Sequence, residues 1–387
     1  MADFGNLYFL GSVDGALWLC QNYCASNMNF VWPPLAAFLL AVPLTFLTIA
    51  WAKRWGFVDD PRVHKHPALI HKRAIPRAGG LPIYLAVLVA SFLILEPTWQ
   101  ILGIFLGGLI LVVVGLIDDK RDLPSSVKLL AQILAAVVVV GSGVGVAFVT
   151  NPLAIIGVGE SVVRLDSWRI VFNFLGEHSI LVWADLFAIF WIVWVINMIN
   201  FSSGVDGQMP GIVAVTLAIL LAASLRFVTS DPQQLVVGQL ALIGMGATLG
   251  FLIFNFYPAK IFPGDSGSYF LGYLVAVVAI LSGAKVGAAI LVMAVPLLDG
   301  VFTIVRRVIR RQSPFVGDRG HLHHRLLEIG WSQRSVALFY YSLCAILGAV
   351  ALTLPAGGKI FAAVVVAVIV LGGLLWLNMN LPQKGLR

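Results

Sequence analysis

The chain has 387 residues, of which 60% are hydrophobic and 11% charged, and its formal net charge is +7. An ordinary soluble domain carries about 25% charged residues, so this balance excludes a soluble globular protein. The apolar runs are continuous instead of alternating, which excludes a β-barrel; the expected fold is all-α, a polytopic helical bundle forming one membrane domain.

In chain order, residues 1–30 form an N-terminal extracytoplasmic segment that contains Asp3 and Asp14 but no Lys or Arg. It lacks the basic region that opens a signal peptide. Cys20 and Cys24 lie in it at helical spacing, and with Cys344 they make no metal-ligand pattern. Residues 31–377 are the transmembrane domain and 378–387 a cytoplasmic tail. A helix needs about 20 apolar residues to cross the hydrocarbon core. Eleven such runs are read, at 31–51, 79–96, 100–117, 127–149, 179–197, 209–227, 235–255, 267–282, 285–304, 335–354 and 358–377. Only "SGAK" separates the eighth from the ninth, and 150–178 has room for a short amphipathic piece.

With the N-terminus outside, all but five of the 25 Lys and Arg residues fall in inner loops, at inner span ends or in the tail; the five are Arg164, Arg169, Arg226, Lys285 and Lys359. Basic residues are retained on the cytoplasmic side, so the chain is placed in the inner membrane with its C-terminus in the cytoplasm. The positive charge is a feature of that membrane face, and no nucleic-acid partner is expected.

Four polar clusters share this face. They contain Asp118 and Asp119 at the end of the third run, "NMINFSSGVDGQMPG" at 197–211, "FPGDSGS" at 262–268 and "GDRGHLHHRLLEIG" at 317–330. One adjacent Asp pair alone is more simply a helix cap. Four clusters on one face, among most of the basic residues, point to phosphate chemistry through a divalent cation. In "FPGDSGS" the glycines permit close backbone approach and Asp265 offers a hard oxygen beside a helix N-terminus. Asn197 and Asn200 share a helix face at i, i+3 spacing. His321, His323 and His324 occupy four residues of a basic loop, where an anionic substrate suits them better than zinc, since no Cys or close carboxylate completes a ligand set.

"HKRAIPRAGGLPI" (71–83), "GLIDDKRDLPSSVKLLAQ", "NMINFSSGVDG", "FPGDSGSYFLG" and "GDRGHLHHRLL" together resemble the polyprenyl-phosphate N-acetylhexosamine-1-phosphate transferases, a family that includes, more distantly, phospho-MurNAc-pentapeptide translocase. The resemblance spans about residues 35–350, with the five motifs in family order. It implies transfer of a sugar-1-phosphate, typically GlcNAc-1-phosphate from UDP-GlcNAc, onto undecaprenyl phosphate, with release of UMP. It implies Mg²⁺, with Mn²⁺ as a substitute, held by Asp265 and Asn200. The catalytic set it implies is Asp118, Asp119, Asp206, His321, His323 and His324. Lys72, Asn255 and Phe262 match positions that hold the nucleotide, with Phe262 stacking on the uracil. Lys128 matches a basic residue beside the phosphates, and Arg77, Asn197, Ser203 and Arg325 join the substrate-binding set. The lipid bilayer is the remaining partner, and a homodimer is compatible with the reading.

The family commonly reads N-x-x-N-x-x-D-G-x-D-G where this chain has Ser203 in place of the first aspartate, and "GQMPG" replaces a "GLAAG"-like continuation. A hydroxyl can hydrogen-bond a sugar but supplies no negative charge. Three alternatives are carried: the MurNAc-pentapeptide branch, from which "GHLHHRLL" differs by lacking three consecutive histidines; a catalytically weak scaffold; and a transporter using Asp185 and Asp299.

Overall fold

The computed structural model describes residues 30–62, 73–151, 154, 157–160, 162–173, 177–283, 286–313 and 320–380. The expected N-terminal segment with Cys20 and Cys24, the expected nucleotide-binding Lys72 and the last seven residues lie outside them. The helices are α1 (Trp32–Trp55), α2 (Gly80–Ile94), α3 (Trp99–Arg121), α4 (Ser125–Gly141), α5 (Val182–Phe201), α6 (Gln208–Leu225) and α7 (Gln233–Asn255). They continue with α8 (Gly264–Leu281), α9 (Val286–Val292), α10 (Ala294–Ile309), α11 (Leu322–Glu328), α12 (Gln333–Thr353) and α13 (Ala356–Asn380).

The all-α bundle is as expected, and each of the eleven apolar runs coincides with a helix or with the α9–α10 pair. The count of eleven spans is not confirmed. Among the described residues, eight helices are long and apolar enough to cross a membrane, and α9 with α10 gives a ninth if the pair is one span. Helices α2 and α4 are shorter apolar helices. The α9–α10 pair bends by 79°, and its sequence contains the reason: Pro296 has no N–H for the carbonyl of Val292, so an unbroken helix loses a hydrogen bond there. The chain restarts at Ala294, with Pro296 in the first turn, where no N–H is needed.

The segment at 150–178 departs from the amphipathic expectation. It contributes to two antiparallel hairpins, β3 (Phe148–Thr150) with β4 (Val162–Arg164), and β5 (Arg169–Asn173) with β6 (Glu177–Leu181). "FVT", "VVR" and "RIVFN" are rich in β-branched and aromatic residues, which favour strands. A third pair, β1 (Val58–Asp59) with β2 (Ile75–Pro76), runs antiparallel in the α1–α2 loop. The next residue, Arg77, forms an isolated parallel bridge with Phe262, so that loop is tied to the start of α8.

Helix α8 is the axis of the bundle. Every residue from Ser266 to Ile280 is buried, and it packs against α3, α5, α2 and α6. A helix apolar on all faces has this fate. The polar tips of its large side chains and of its large neighbours are satisfied: Tyr273 Oη donates to Ile104 O at 3.0 Å, Tyr84 Oη to Phe105 O at 3.0 Å, and Trp191 Nε1 to Ala276 O at 3.2 Å. Gly115 on α3 lies against the backbone of Ser266, where a Cβ would collide. That close approach brings the end of α3 onto the beginning of α8. Helix α13 is the opposite case, with Leu374 its one buried residue.

Candidate functional site

Asp118 and Asp119 lie in the last turn of α3. Adjacent helical positions diverge by about 100°, and the two carboxylates accordingly face different neighbours. Asp119 faces the start of α8, where Pro263 offers no side-chain cap. Its Oδ1 accepts from Asp265 N at 2.8 Å, and its Oδ2 accepts from Ser266 N at 3.3 Å and Ser266 Oγ at 2.8 Å. These are orphan first-turn donors, and a carboxylate suits the positive end of the helix. Gly264 permits the approach: its φ is +66°, and a Cβ there would strike the Asp119 carboxylate. Arg77 Nε completes this side, 3.6 Å from Asp119 Oδ1. Burial works against the Arg77 charge, but Asp119, then Asp265, Asp59 and Asp122, hold its pKa above the ordinary guanidinium value.

Asp118 faces the start of α4. Its Oδ1 accepts from Leu123 N at 2.6 Å, shaping the turn in which Asp122 adopts a left-handed conformation. Its Oδ2 lies 2.7 Å from Lys128 Nζ, and the same ammonium lies 3.2 Å from Asp265 Oδ2. Lys128 therefore bridges two carboxylates contributed by helices far apart in sequence. Asn200, at the end of α5, donates from Nδ2 to Asp265 Oδ1 at 2.9 Å and to Ser268 Oγ at 2.7 Å. Tyr269 Oη donates to Asp265 Oδ2 at 3.3 Å.

Three carboxylates thus meet two basic side chains. Among the described residues no group of three Asp, Glu, His or Cys side chains is placed to hold a metal ion. Mg²⁺ seldom uses such a cage; it binds through one or two carboxylates and completes its shell with substrate phosphates and water. Asp118 and Asp265, two hard carboxylates already sharing one cation, fit that mode. The histidine loop provides no zinc set among the described residues.

The remaining expected residues are gathered around this centre, mostly turned toward the protein. Asn197 donates to Gln132 Oε1 at 2.7 Å and to Val193 O at 2.8 Å. Ser203, exposed, donates from Oγ to Asn200 O at 2.6 Å. Asp206 accepts from Ala259 N at 2.9 Å, and Asn255 accepts from Gly207 N at 3.1 Å while donating to Ile261 O at 2.9 Å. These bonds stitch the loops after α5 and α7 together. Phe262, half-buried, exchanges backbone bonds with the Arg77 strand, from its N to Pro76 O at 2.8 Å and from Gly79 N to its O at 3.1 Å.

His321, His323 and His324 are all buried. The rings of His321 and His323 are stacked, with centroids 5.4 Å apart, and that of His324 lies 4.4 Å from His323. Phe201, next to Asn200, lies 5.7 Å from the His321 ring, so the end of α5 touches both centres. Burial first, then His324 and His321, push the His323 imidazole well below its ordinary pKa. Arg325 is turned inward, with Nη1 2.7 Å from Glu328 Oε2 and Nη2 2.9 Å from Asn378 Oδ1.

Ser266, Ser268 and Tyr269 belong to the centre and were not among the expected site residues. Tyr269 could have been found from its i, i+4 spacing to Asp265. Of the transporter candidates, Asp185 accepts from Leu181 N at the start of α5, and Asp299 bonds to His321.

The profile of glycosyl transferase family 4 matches residues 101–283, which include Asp118, Asp119, Lys128, Asn200 and Asp265. A probable undecaprenyl-phosphate N-acetylglucosaminyl 1-phosphate transferase of Bacillus subtilis is 31% identical over 317 residues, 79% of this chain and 80% of that protein. The decaprenyl-phosphate N-acetylglucosaminephosphotransferase of Mycobacterium leprae is 33% identical over 79% of each chain. A phospho-N-acetylmuramoyl-pentapeptide-transferase of Bacillus cytotoxicus is 29% identical over 81% of this chain and 94% of that protein.

Proposed function

The chain belongs to glycosyl transferase family 4, and on that premise we propose that it transfers N-acetylglucosamine-1-phosphate from UDP-GlcNAc to undecaprenyl phosphate at the cytoplasmic face of the membrane, leaving UMP and a lipid-linked sugar diphosphate. The observation that carries this reading is the Lys128 ammonium shared by Asp118 and Asp265, in a chain whose relatives act on polyprenyl phosphates by name.

The reaction brings two anions together, and electrostatics is its main difficulty. A phosphate monoester has a second pKa of about 6, so the lipid acceptor needs little help from a base. Its oxygen attacks the β-phosphorus, the phosphoanhydride breaks, and the electron pair leaves with UMP. Lys128 and Arg77 offset the charge. Asp119, with both oxygens committed to the start of α8 and to Arg77, holds the centre in place. Asp118, whose Oδ2 faces Lys128, orients the acceptor or takes its residual proton. Asp118 and Asp265 would hold Mg²⁺, which when bound would supply positive charge to the phosphates. Ser203 offers a hydroxyl where the family commonly places a carboxylate, so it contacts the donor by hydrogen bonding alone.

Incubation of purified protein with undecaprenyl phosphate and a panel of UDP-sugars tests this. Turnover of UDP-GlcNAc with Mg²⁺, and none of UDP-MurNAc-pentapeptide, is the expected result. Turnover of the pentapeptide donor would move the chain to the other branch.

A further inference from the structure

Asp299 lies within α10, only 4% exposed. Its carboxylate is directed at a segment more than 20 residues further along the chain. Oδ2 lies 2.9 Å from His321 Nδ1, and Oδ1 accepts from Leu322 N at 2.8 Å. Thr303, one turn further along α10, places Oγ1 3.4 Å from the same Nδ1. Leu322 is the first residue of α11, and His321, its N-cap, makes no side-chain cap bond. Asp299 therefore accepts from another helix the first-turn N–H that a local Ser or Asp would usually accept. Both oxygens serve the histidine loop, one through the ring that opens it and one through its backbone.

We propose that Asp299 is a positioning residue for the transfer reaction, acting through His321. The inference rests on the sugar-phosphate transfer reading above. A ring nitrogen that donates to a carboxylate fixes the tautomer, and the other nitrogen is the one left for substrate. With Nδ1–H on Asp299, Nε2 of His321 is the atom available to the donor. The bond to Leu322 N seats the turn that carries His323 and His324. Asp299→Asn separates these two effects from loss of shape. The amide oxygen keeps the Leu322 bond, while the amide NH₂ faces Nδ1 and demands the opposite tautomer.

Asp299→Asn, His321→Gln and the double variant are compared with the full-length wild type in detergent, with UDP-GlcNAc and undecaprenyl phosphate. The expected result for Asp299→Asn is a fall in kcat of about 10- to 100-fold, with KM for UDP-GlcNAc within about threefold and an unfolding temperature near that of the wild type. The double variant is expected to be no slower than His321→Gln alone, because Asp299 acts through that ring. Multiplying losses, or a wild-type kcat in Asp299→Asn, would overturn the proposal. An inert wild type would count against the transfer reading instead, and amide exchange then decides the positioning. Asp299→Ala is expected to speed exchange across residues 322–326, with Asp299→Asn as the folded control; unchanged exchange in Asp299→Ala would overturn it.

Discussion

The carboxylate centre and the histidine loop are both buried at the same end of the bundle, yet they are held in different ways. Asp118, Asp119 and Asp265 sit on α3 and α8, long helices packed closely enough to place Gly115 against the Ser266 backbone, and the centre combines carboxylates with two basic side chains. The loop rides on α11, a helix of seven residues, anchored from outside by Asp299 and Asn378. His323 Nδ1 and Arg325 Nε make no hydrogen bond. A buried polar atom without a partner costs stability, so the loop is the less finished of the two. On the proposed function, the carboxylate centre is the floor on which the phosphates meet.

The largest expected effect falls on the floor. Asp265→Asn keeps the backbone N–H that Asp119 accepts, so the fold survives, but it removes half of the Lys128 bridge. A loss of about 1,000-fold in kcat is expected, read by nucleotide release; near-normal turnover at low Mg²⁺ would remove Asp265 from the centre of the chemistry.

Asp119→Ala acts on stability instead. It leaves the amides of Asp265 and Ser266, the Ser266 hydroxyl and Arg77 without their acceptor, at a cost of about 3 kcal/mol. Thermal unfolding in detergent should show a marked drop, whereas Asp118→Asn, which keeps an oxygen for Leu123 N, should lose activity with far less effect on melting. Equal behaviour of the two variants would break the division of labour drawn between them.

On the loop, His323 makes stability depend on pH. Its native pKa lies well below 6.5, so below about 6.5 the unfolded chain binds a proton that the native ring does not. The contribution is complete above that pH and is lost as pH falls toward the native value. His323→Gln should flatten the pH dependence of stability below 6.5 by up to about 1.4 kcal/mol per pH unit, measured as the difference between the two proteins. A slope unchanged by the substitution would show that the ring is not held neutral.

The smallest structural effect is expected at Ser203. The side chain is exposed and bonds only to its own turn among the described contacts, so Ser203→Asp should change stability by no more than about 0.5 kcal/mol while altering donor preference or Mg²⁺ dependence. A large loss of stability would mean that the turn, and not the donor, sets the residue.

The same contrast explains what was legible in the sequence. Long apolar runs reveal helices directly, the polar clusters at their ends gave Asp118, Asp119, Asn200 and Asp265, and the family resemblance added Lys128. Which of the adjacent aspartates caps α8 was not legible, because that depends on how α3 is rotated against its neighbours. The bend at Met293 has a local cause in Pro296, but an apolar run that continues on both sides conceals it. The hairpins between α4 and α5 were missed because their strands are short and their apolar content resembles span ends. Asp299 was carried as a transporter candidate, because its partners His321 and Leu322 lie across a loop and pair with it only through tertiary structure.

The central claim is that the attacked atom is phosphorus. Chromatography of the nucleotide released from UDP-GlcNAc in the presence of undecaprenyl phosphate tests it most directly. The account predicts UMP in a one-to-one ratio with lipid-linked GlcNAc diphosphate; UDP as the main product would mean attack at the sugar's anomeric carbon and would contradict it.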